Sequence, residues 1–240
     1  MVAKKTIGFF GNSYCAYYDG KAVEKWQYPQ IKAFYEANPS YITYVKKVVD
    51  DNDYELINLG SGGASIWDTI SLQLQPLINE ECIPDVCVFV WTASRFFYNK
   101  KVRGLSPGRA HNPEHFVSGE YSGILEAYKQ YCDHLYDKDW HDYIAKATFY
   151  YFDNNVLSSF PATTKIIHLW TYPNSIIHRW KNGVEIRPAL SVVTDNENVP
   201  LRDDIIPPNH FNKQETNDML ANILKEAISN YEPGKLINIL

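Results

Sequence analysis

A serine and a histidine far apart in the chain have the local surroundings that nucleophilic catalysis requires. Ser13 follows Gly11-Asn12 at the end of Thr6–Phe10, a short apolar run typical of a buried strand. A serine at such a turn can present its hydroxyl beside backbone N–H groups that stabilise an oxyanion. His210 lies between Pro207-Pro208 and a final helix, which makes it the best candidate for the base. The two residues indicate acyl chemistry, although on its local pattern alone the serine segment could also be a simple turn.

The other histidines have less favourable surroundings. His168 lies inside an apolar strand, where a core histidine with satisfied hydrogen bonds is the favoured interpretation. His134 and His141 lie on or beside helices and are interpreted as surface residues. His111 and His115 have the i,i+4 spacing of a helical metal site, but a proline between them argues against a helix. No metal site and no cofactor is expected.

Alternating strands and helices along the chain predict a parallel sheet covered on both faces. A possible hairpin over Ile176–Thr194 would turn at Asn182-Gly183, and Ser40 is the expected N-cap of the second helix. The predicted strands are Thr6–Phe10, Tyr54–Leu59, Val86–Trp91 and Lys165–Trp170. The predicted helices run from about Ile31, from Ser40 to Val49, over Ile66–Ile78, near Tyr121–Tyr136 and Asp142–Leu157, and from about Lys213 to Asn230.

One segment interrupts this alternation. Asn99–Glu120 is rich in Gly, Pro, His and Asn and is long for a connection, which is typical of a lid or binding loop. The absence of a repeat or a second core favours one domain over residues 1–240 with this loop inserted at about 99–120.

Composition excludes several classes of partner. The net charge is −5 and no long basic run occurs, so neither nucleic acid nor a membrane is expected as a partner. No transmembrane run or signal peptide is recognised, which favours the cytoplasm or a particle assembled there.

The four cysteines (Cys15, Cys82, Cys87 and Cys132) lack C-x-x-C spacing and are interpreted as buried, reduced thiols. The aromatic content of 15% fits either a bulky core or a surface that faces carbohydrate.

Ligands of open parallel sheets bind at the carboxyl ends of the strands. Three such ends carry residues capable of chemistry: Gly11-Asn12-Ser13-Tyr14, Gly60-Ser61-Gly62-Gly63 and Trp91-Thr92-Ala93-Ser94. Asn12 and Tyr14 flank the serine and are therefore candidate binding residues.

In their order, these segments resemble the SGNH (GDSL-like) hydrolases. Gly11–Tyr14 looks like the family's Gly-Asp-Ser block with Asn12 at the Asp position, and Asn58–Ser65 is similar to its second block. His210-Phe211-Asn212 looks like the fifth block, and the resemblance runs from Ile7 to about Ile228, excluding the Asn99–Glu120 insertion. It implies a three-layer α/β/α sandwich around a parallel sheet of flavodoxin-like type. It also implies that Ser13 is the nucleophile, His210 the base and Gly63 the glycine of the oxyanion hole.

The sequence departs from the family at two functional positions. The third block's oxyanion-binding Asn falls on Ser94, a shorter donor, so Thr92 or Arg95 could contribute instead. The family's acid, three residues before the base, falls on Pro207. Asp204 could reach the imidazole through a local insertion, or it and Asp203 could be solvated loop charges.

The resemblance implies a serine esterase that acts on a small-molecule or carbohydrate acyl ester. The aromatic residues and the 99–120 loop favour removal of O-acetyl groups from carbohydrate. The departures support an alternative: a binding or structural protein with this fold and little catalysis, for example a virion component. An acyltransferase with the same nucleophile is a third possibility. The sequence does not distinguish oligomeric states.

Overall fold

A six-stranded parallel sheet forms the centre of the protein in a computed structural model that describes residues 4–16, 29–92, 122–195 and 210–239. The strand order is β2-β1-β3-β4-β5-β6, the flavodoxin-like doubly wound order extended by one strand. The expected parallel α/β sheet is therefore confirmed. The strands are β1 (Thr6–Gly11), β2 (Glu55–Asn58), β3 (Val86–Trp91), β4 (Lys165–Trp170), β5 (Val184–Arg187) and β6 (Leu236–Asn238).

Helices cover both faces of this sheet. Two of them are interrupted or extended by π-helical segments, Asp68–Leu74 before α3 and Phe152–Val156 after α5. The α-helices are α1 (Pro29–Ala37), α2 (Tyr44–Asn52), α3 (Gln75–Asn79), α4 (Ser122–His134), α5 (Lys138–Tyr151), α6 (Leu190–Asp195) and α7 (Gln214–Ser229). Among the helices of the described ranges, none is long and apolar enough to cross a bilayer.

The central strand β3 explains the three layers. All six of its residues are buried, and successive side chains point to opposite faces of the sheet. Val86, Val88 and Val90 join a hydrophobic cluster with residues of α2 and α7. Cys87, Phe89 and Trp91 join a second cluster with residues of α5 and of the segment that leads into α3. A continuous apolar strand therefore stands between two helical layers.

The hairpin expected over Ile176–Thr194 is wrong. β5 lies within this range but pairs in parallel with both β4 and β6, and α6 follows it. Asn182 does not form a two-residue turn, because its N–H and side-chain amide both bond to Asp153. Gly183 packs on β4 instead, where an added Cβ would lie 2.7 Å from the His168 ring.

Two smaller expectations are also corrected. Thr43, not Ser40, caps α2, since its hydroxyl accepts a hydrogen bond from the Lys46 N–H. The cysteines are free, but only Cys15 and Cys87 are buried, whereas Cys82 is exposed. The loop at 99–120, with His111 and His115, lies outside the described residues.

Candidate active site

The carboxyl ends of β1 and β2 meet at one edge of the sheet. β1 pairs with β3 as far as Gly11 opposite Val90, and the chain after β2 continues along β1. The Ser61 N–H donates to the Gly11 carbonyl at 3.0 Å. The serine turn and the glycine loop therefore lie side by side.

Ser13 lies in a short helical turn that Asn12 organises. The Asn12 carbonyl accepts hydrogen bonds from the N–H groups of Cys15 and Ala16, at 3.1 and 3.2 Å. Its side-chain Oδ1 accepts from the Tyr14 N–H at 3.0 Å, as at a helix N-cap. None of these bonds uses the Ser13 N–H. It is one of the first N–H groups of the helical turn, and such groups have no acceptor within the turn itself.

The Asn12 side chain is a structural group in this arrangement. It is 5% exposed, and its Nδ2 donates to the Thr171 hydroxyl at 2.6 Å, after β4. It therefore fixes the turn against a neighbouring strand end. Asn58 supports the far end of the same turn, because its Nδ2 donates to the Cys15 carbonyl at 2.8 Å.

Ser13 and His210 are in hydrogen-bond contact. Ser13 Oγ lies 2.7 Å from His210 Nε2, although 197 positions separate them in the chain. His210 is exposed as a residue, yet its ring lies against Tyr14, and desolvation lowers the pKa of His210 to about 4. The imidazole is therefore neutral near pH 7 and can accept the Ser13 proton at Nε2.

The backbone of His210 has a conformation that side chains seldom adopt. Its φ is 66°, in the left-handed region, which is uncommon outside glycine. Such a conformation persists only where surrounding contacts hold it. Three tyrosines provide such contacts around the histidine and the serine turn.

Tyr14, Tyr41 and Tyr44 make those contacts. The Tyr14 ring stacks on the imidazole with centroids 4.4 Å apart. Tyr41 donates its hydroxyl proton to the carbonyl of Phe211, the residue after the histidine. Tyr44 donates to the Tyr14 carbonyl at 2.7 Å. One segment at the start of α2 thus ties the serine turn to the histidine segment.

The glycine loop has a defined turn at Gly63. The Ala64 N–H bonds to the Ser61 carbonyl at 3.2 Å, and Gly63, the third residue of this turn, has φ 72°. Glycine is favoured at that position because a Cβ disfavours positive φ. Gly60 is required for another reason: an added Cβ would lie 2.8 Å from Cys15 Sγ. The loop therefore packs directly on the serine turn.

Two buried polar side chains of the π-helix Asp68–Leu74 hold these segments. Asp68 Oδ2 accepts from the Ser65 N–H and hydroxyl, at 2.8 and 2.6 Å. Gln73 Oε1 accepts from the Gly11 N–H at 2.6 Å, and its Nε2 donates to the Gly11 carbonyl at 3.0 Å.

The remaining candidates from the sequence have different outcomes. Thr92 follows β3 at the same sheet edge and is 3% exposed, and its hydroxyl has no hydrogen-bond partner within the described part of the chain. Ser94, Arg95, Asp203 and Asp204 lie outside the described residues. Their expected roles therefore stay predictions.

Sequence reasoning missed Gln73, Asp68, Tyr41 and Tyr44. Gln73 had one signal: it lies three residues after Ile70, within the apolar pattern of a predicted helix. A polar residue at such a position needs a buried partner. Nothing in the sequence indicated that the partner is the backbone of Gly11.

Comparisons with known proteins give no family assignment. No family model matches the chain, and no curated protein matches it. An acetyl xylan esterase, AlAXEase, is a similar solved structure at 15% identity and a TM-score of 0.28, over 98% of this chain and 77% of that chain. Another solved structure has 11% identity and a TM-score of 0.31, over 98% of this chain and 83% of that one. Likeness at this level supports no statement about activity.

Proposed function

We propose that the protein is a serine esterase in which Ser13 is the nucleophile and His210 the general base. The observation that carries this proposal is the 2.7 Å contact between Ser13 Oγ and the Nε2 atom of a neutral imidazole. A nucleophile in hydrogen-bond contact with a base that can accept its proton is the arrangement that serine hydrolases use.

In the proposed reaction, Ser13 Oγ attacks the ester carbonyl while His210 Nε2 takes the hydroxyl proton. The backbone N–H groups of Ser13 and Gly63 stabilise the tetrahedral oxyanion. His210 then returns the proton to the leaving oxygen, and the alcohol departs from an acyl-serine. Water, deprotonated by His210, attacks the acyl-serine, and collapse of the second intermediate releases the acid and restores Ser13.

The resemblance to the SGNH hydrolases adds the finer parts of this proposal. It assigns an orienting role to Asp204 and an oxyanion role to Ser94, with Thr92 or Arg95 as substitutes for Ser94. The aromatic residues and the 99–120 loop favour a carbohydrate O-acetyl ester as substrate. Asp204→Asn compared with Asp203→Asn tests the acid: a loss of activity confined to the first variant supports it, and equal activities leave Ser13 and His210 as a dyad.

A fluorophosphonate probe tests the central proposal, because it needs an activated serine and little substrate recognition. We expect intact-mass labelling of the wild type, and none of Ser13→Ala or His210→Ala. A folded wild-type protein that stays unlabelled, while a control hydrolase reacts, would reject the esterase and favour the binding or structural protein.

Acetate release from acetylated glycans, compared with hydrolysis of plain short-chain esters, then tests the substrate class. An added sugar acceptor that diverts the acyl group from water would identify a transferase.

A further inference from the structure

Gln73 directs both polar groups of its side chain at Gly11 of the serine turn, and its Nε2 also lies 3.5 Å from Ser61 Oγ in the glycine loop. Its amide accepts from the Gly11 N–H at 2.6 Å and donates to the Gly11 carbonyl at 3.0 Å. The side chain is 6% exposed, so water does not compete for these bonds. The orientation of the amide is fixed by its partners, because an N–H group requires an acceptor and a carbonyl requires a donor.

Gly11 is the residue through which the serine turn and the glycine loop are joined. Its carbonyl accepts from the Ser61 N–H at 3.0 Å as well as from Gln73. Asn12 and Ser13 follow it directly, and Gly62-Gly63 follow Ser61. A displacement of Gly11 would therefore change the distance between the two N–H groups proposed to bind the oxyanion.

The π-helix makes this anchoring possible. Asp68 and Gln73 are five residues apart, and in an ordinary α-helix they would point about 140° away from each other at 3.6 residues per turn. A π-helix bonds residues five apart, so it places such residues on one side. Both side chains are buried, Gln73 against Gly11 and Asp68 against Ser65, at the far end of the glycine loop.

We propose that Gln73 is a positioning residue for the esterase reaction, which fixes the serine turn relative to the glycine loop. This inference rests on the proposed function. Gln73 acts through Gly11 and is not itself a catalytic residue. The π-helix thus sets the geometry of the proposed oxyanion hole indirectly, through the contact of Gln73 with Gly11.

Gln73→Met tests the inference. Methionine is similar in length to glutamine, but it cannot form the two hydrogen bonds with Gly11 and it adds no charge to the site. We expect the fluorophosphonate labelling rate and kcat to fall by about tenfold to a hundredfold with KM nearly unchanged, as small misplacements of reacting groups produce. Gln75→Met is the matched control. Gln75 is exposed and its side chain bonds only Asn79 within the described residues, so its replacement should leave both rates at the wild-type level.

Gln73→Glu provides a readout that a purely structural role would not produce. One oxygen of the ionised carboxylate can still accept the hydrogen bond from the Gly11 N–H. The other oxygen has no proton to donate to the Gly11 carbonyl, so the two oxygen atoms repel each other. A protonated carboxyl restores the donor, and burial raises the pKa of such a group above its usual value of about 4.3. We therefore expect a low labelling rate at neutral pH that recovers toward the wild-type rate as the pH falls toward 5.

The outcomes separate the two proposals. A folded Gln73→Met protein labelled as fast as Gln75→Met would overturn the positioning role and leave the esterase intact. If Gln73→Met does not fold, the pH profile of Gln73→Glu decides, and a flat ratio to wild type would overturn the inference. A folded wild type that is not labelled rejects the esterase first, and the positioning role with it.

Discussion

The Tyr14 ring stacks on the His210 imidazole, with centroids 4.4 Å apart and an angle of 27° between the ring planes. The residue after the proposed nucleophile thus supports the proposed base directly. Tyr14 is 7% exposed, and its ring also meets Phe211 edge-on at 5.9 Å. Burial raises the pKa of Tyr14 to about 12, so its hydroxyl keeps its proton at neutral pH.

Replacing Tyr14 separates the effect of its ring from that of its hydroxyl. Tyr14→Phe keeps the ring and removes only the hydroxyl, so we expect at most about 1 kcal/mol of destabilisation and little change in labelling rate. Tyr14→Leu removes the stack that orients the imidazole and should slow labelling by about tenfold or more. Fluorophosphonate rates and thermal unfolding measure both effects. Equal labelling rates for the two variants would show that the stack does not orient His210.

The pH dependence of activity should report the lowered pKa of His210. Only the neutral imidazole can accept the Ser13 proton, and desolvation lowers the pKa of His210 from 6.5 to about 4. Activity should therefore persist well below pH 6.5 and be lost as the pH falls through about 4. The measurement is kcat/KM against pH with a short-chain ester. An acid limb at or above pH 6.5 would contradict this expectation and indicate a carboxylate at Nδ1, which raises the pKa of a histidine.

Two glycines of the site should differ sharply in their tolerance of alanine. At Gly11, φ is 133° and an added Cβ would lie 2.2 Å from the Val90 carbonyl oxygen. Gly11→Ala therefore has to move β3 or the serine turn, and we expect a loss of at least about 3 kcal/mol in the free energy of unfolding. At Gly62, no atom of the described residues lies within 4 Å of the added Cβ. Gly62→Ala is the control and should remain near wild type in denaturant unfolding and in labelling. Comparable stability of the two variants would mean that the close approach at Gly11 relaxes freely.

The strands that position the site could be predicted from sequence because burial dictates their composition. Val86–Trp91 and Lys165–Trp170 occur with the predicted bounds, since six consecutive mostly apolar residues have few alternatives to a central strand. β6 was missed because Leu236–Asn238 has three residues and mixed burial. A strand that short carries almost no periodic signal.

The supports of the site could not be predicted, because they depend on contacts between distant segments. The apolar residues Ile66, Ile70 and Leu74 fit an ordinary helix, and hydrophobic spacing does not reveal the wider turn that brings Gln73 to Gly11. The order of motifs indicated Ser13 and His210. Their 2.7 Å contact required the full fold, with the histidine held by Tyr14 and its neighbour by Tyr41.

His168 was expected to be a satisfied core histidine, and its surroundings lead to the last prediction. It is fully buried, its Nδ1 accepts from Trp91 Nε1 at 3.0 Å, and its Nε2 lies 2.9 Å from the Asn182 carbonyl. These partners require a neutral ring with the proton on Nε2. Burial lowers the pKa of His168 to about 3.

His168→Phe keeps an aromatic ring but removes both hydrogen bonds of the imidazole. The Trp91 N–H and the Asn182 carbonyl then each lose their bond to residue 168. We expect a loss of about 2–4 kcal/mol in the free energy of unfolding, whereas His134→Phe at the exposed end of α4 should have little effect. The folded protein should still be labelled at the wild-type rate, because His168 bonds neither Ser13 nor His210 in the described structure.

His168→Phe also tests the linkage to pH. Between about pH 3 and 6.5 the unfolded chain binds a proton at position 168 that the folded protein excludes, so wild-type stability falls as the pH falls through this range. His168→Phe removes that proton uptake and should make the acid dependence of stability shallower than in the wild type. Denaturant unfolding at several pH values measures this dependence, and parallel slopes for the two proteins would mean that His168 is not held neutral by the fold.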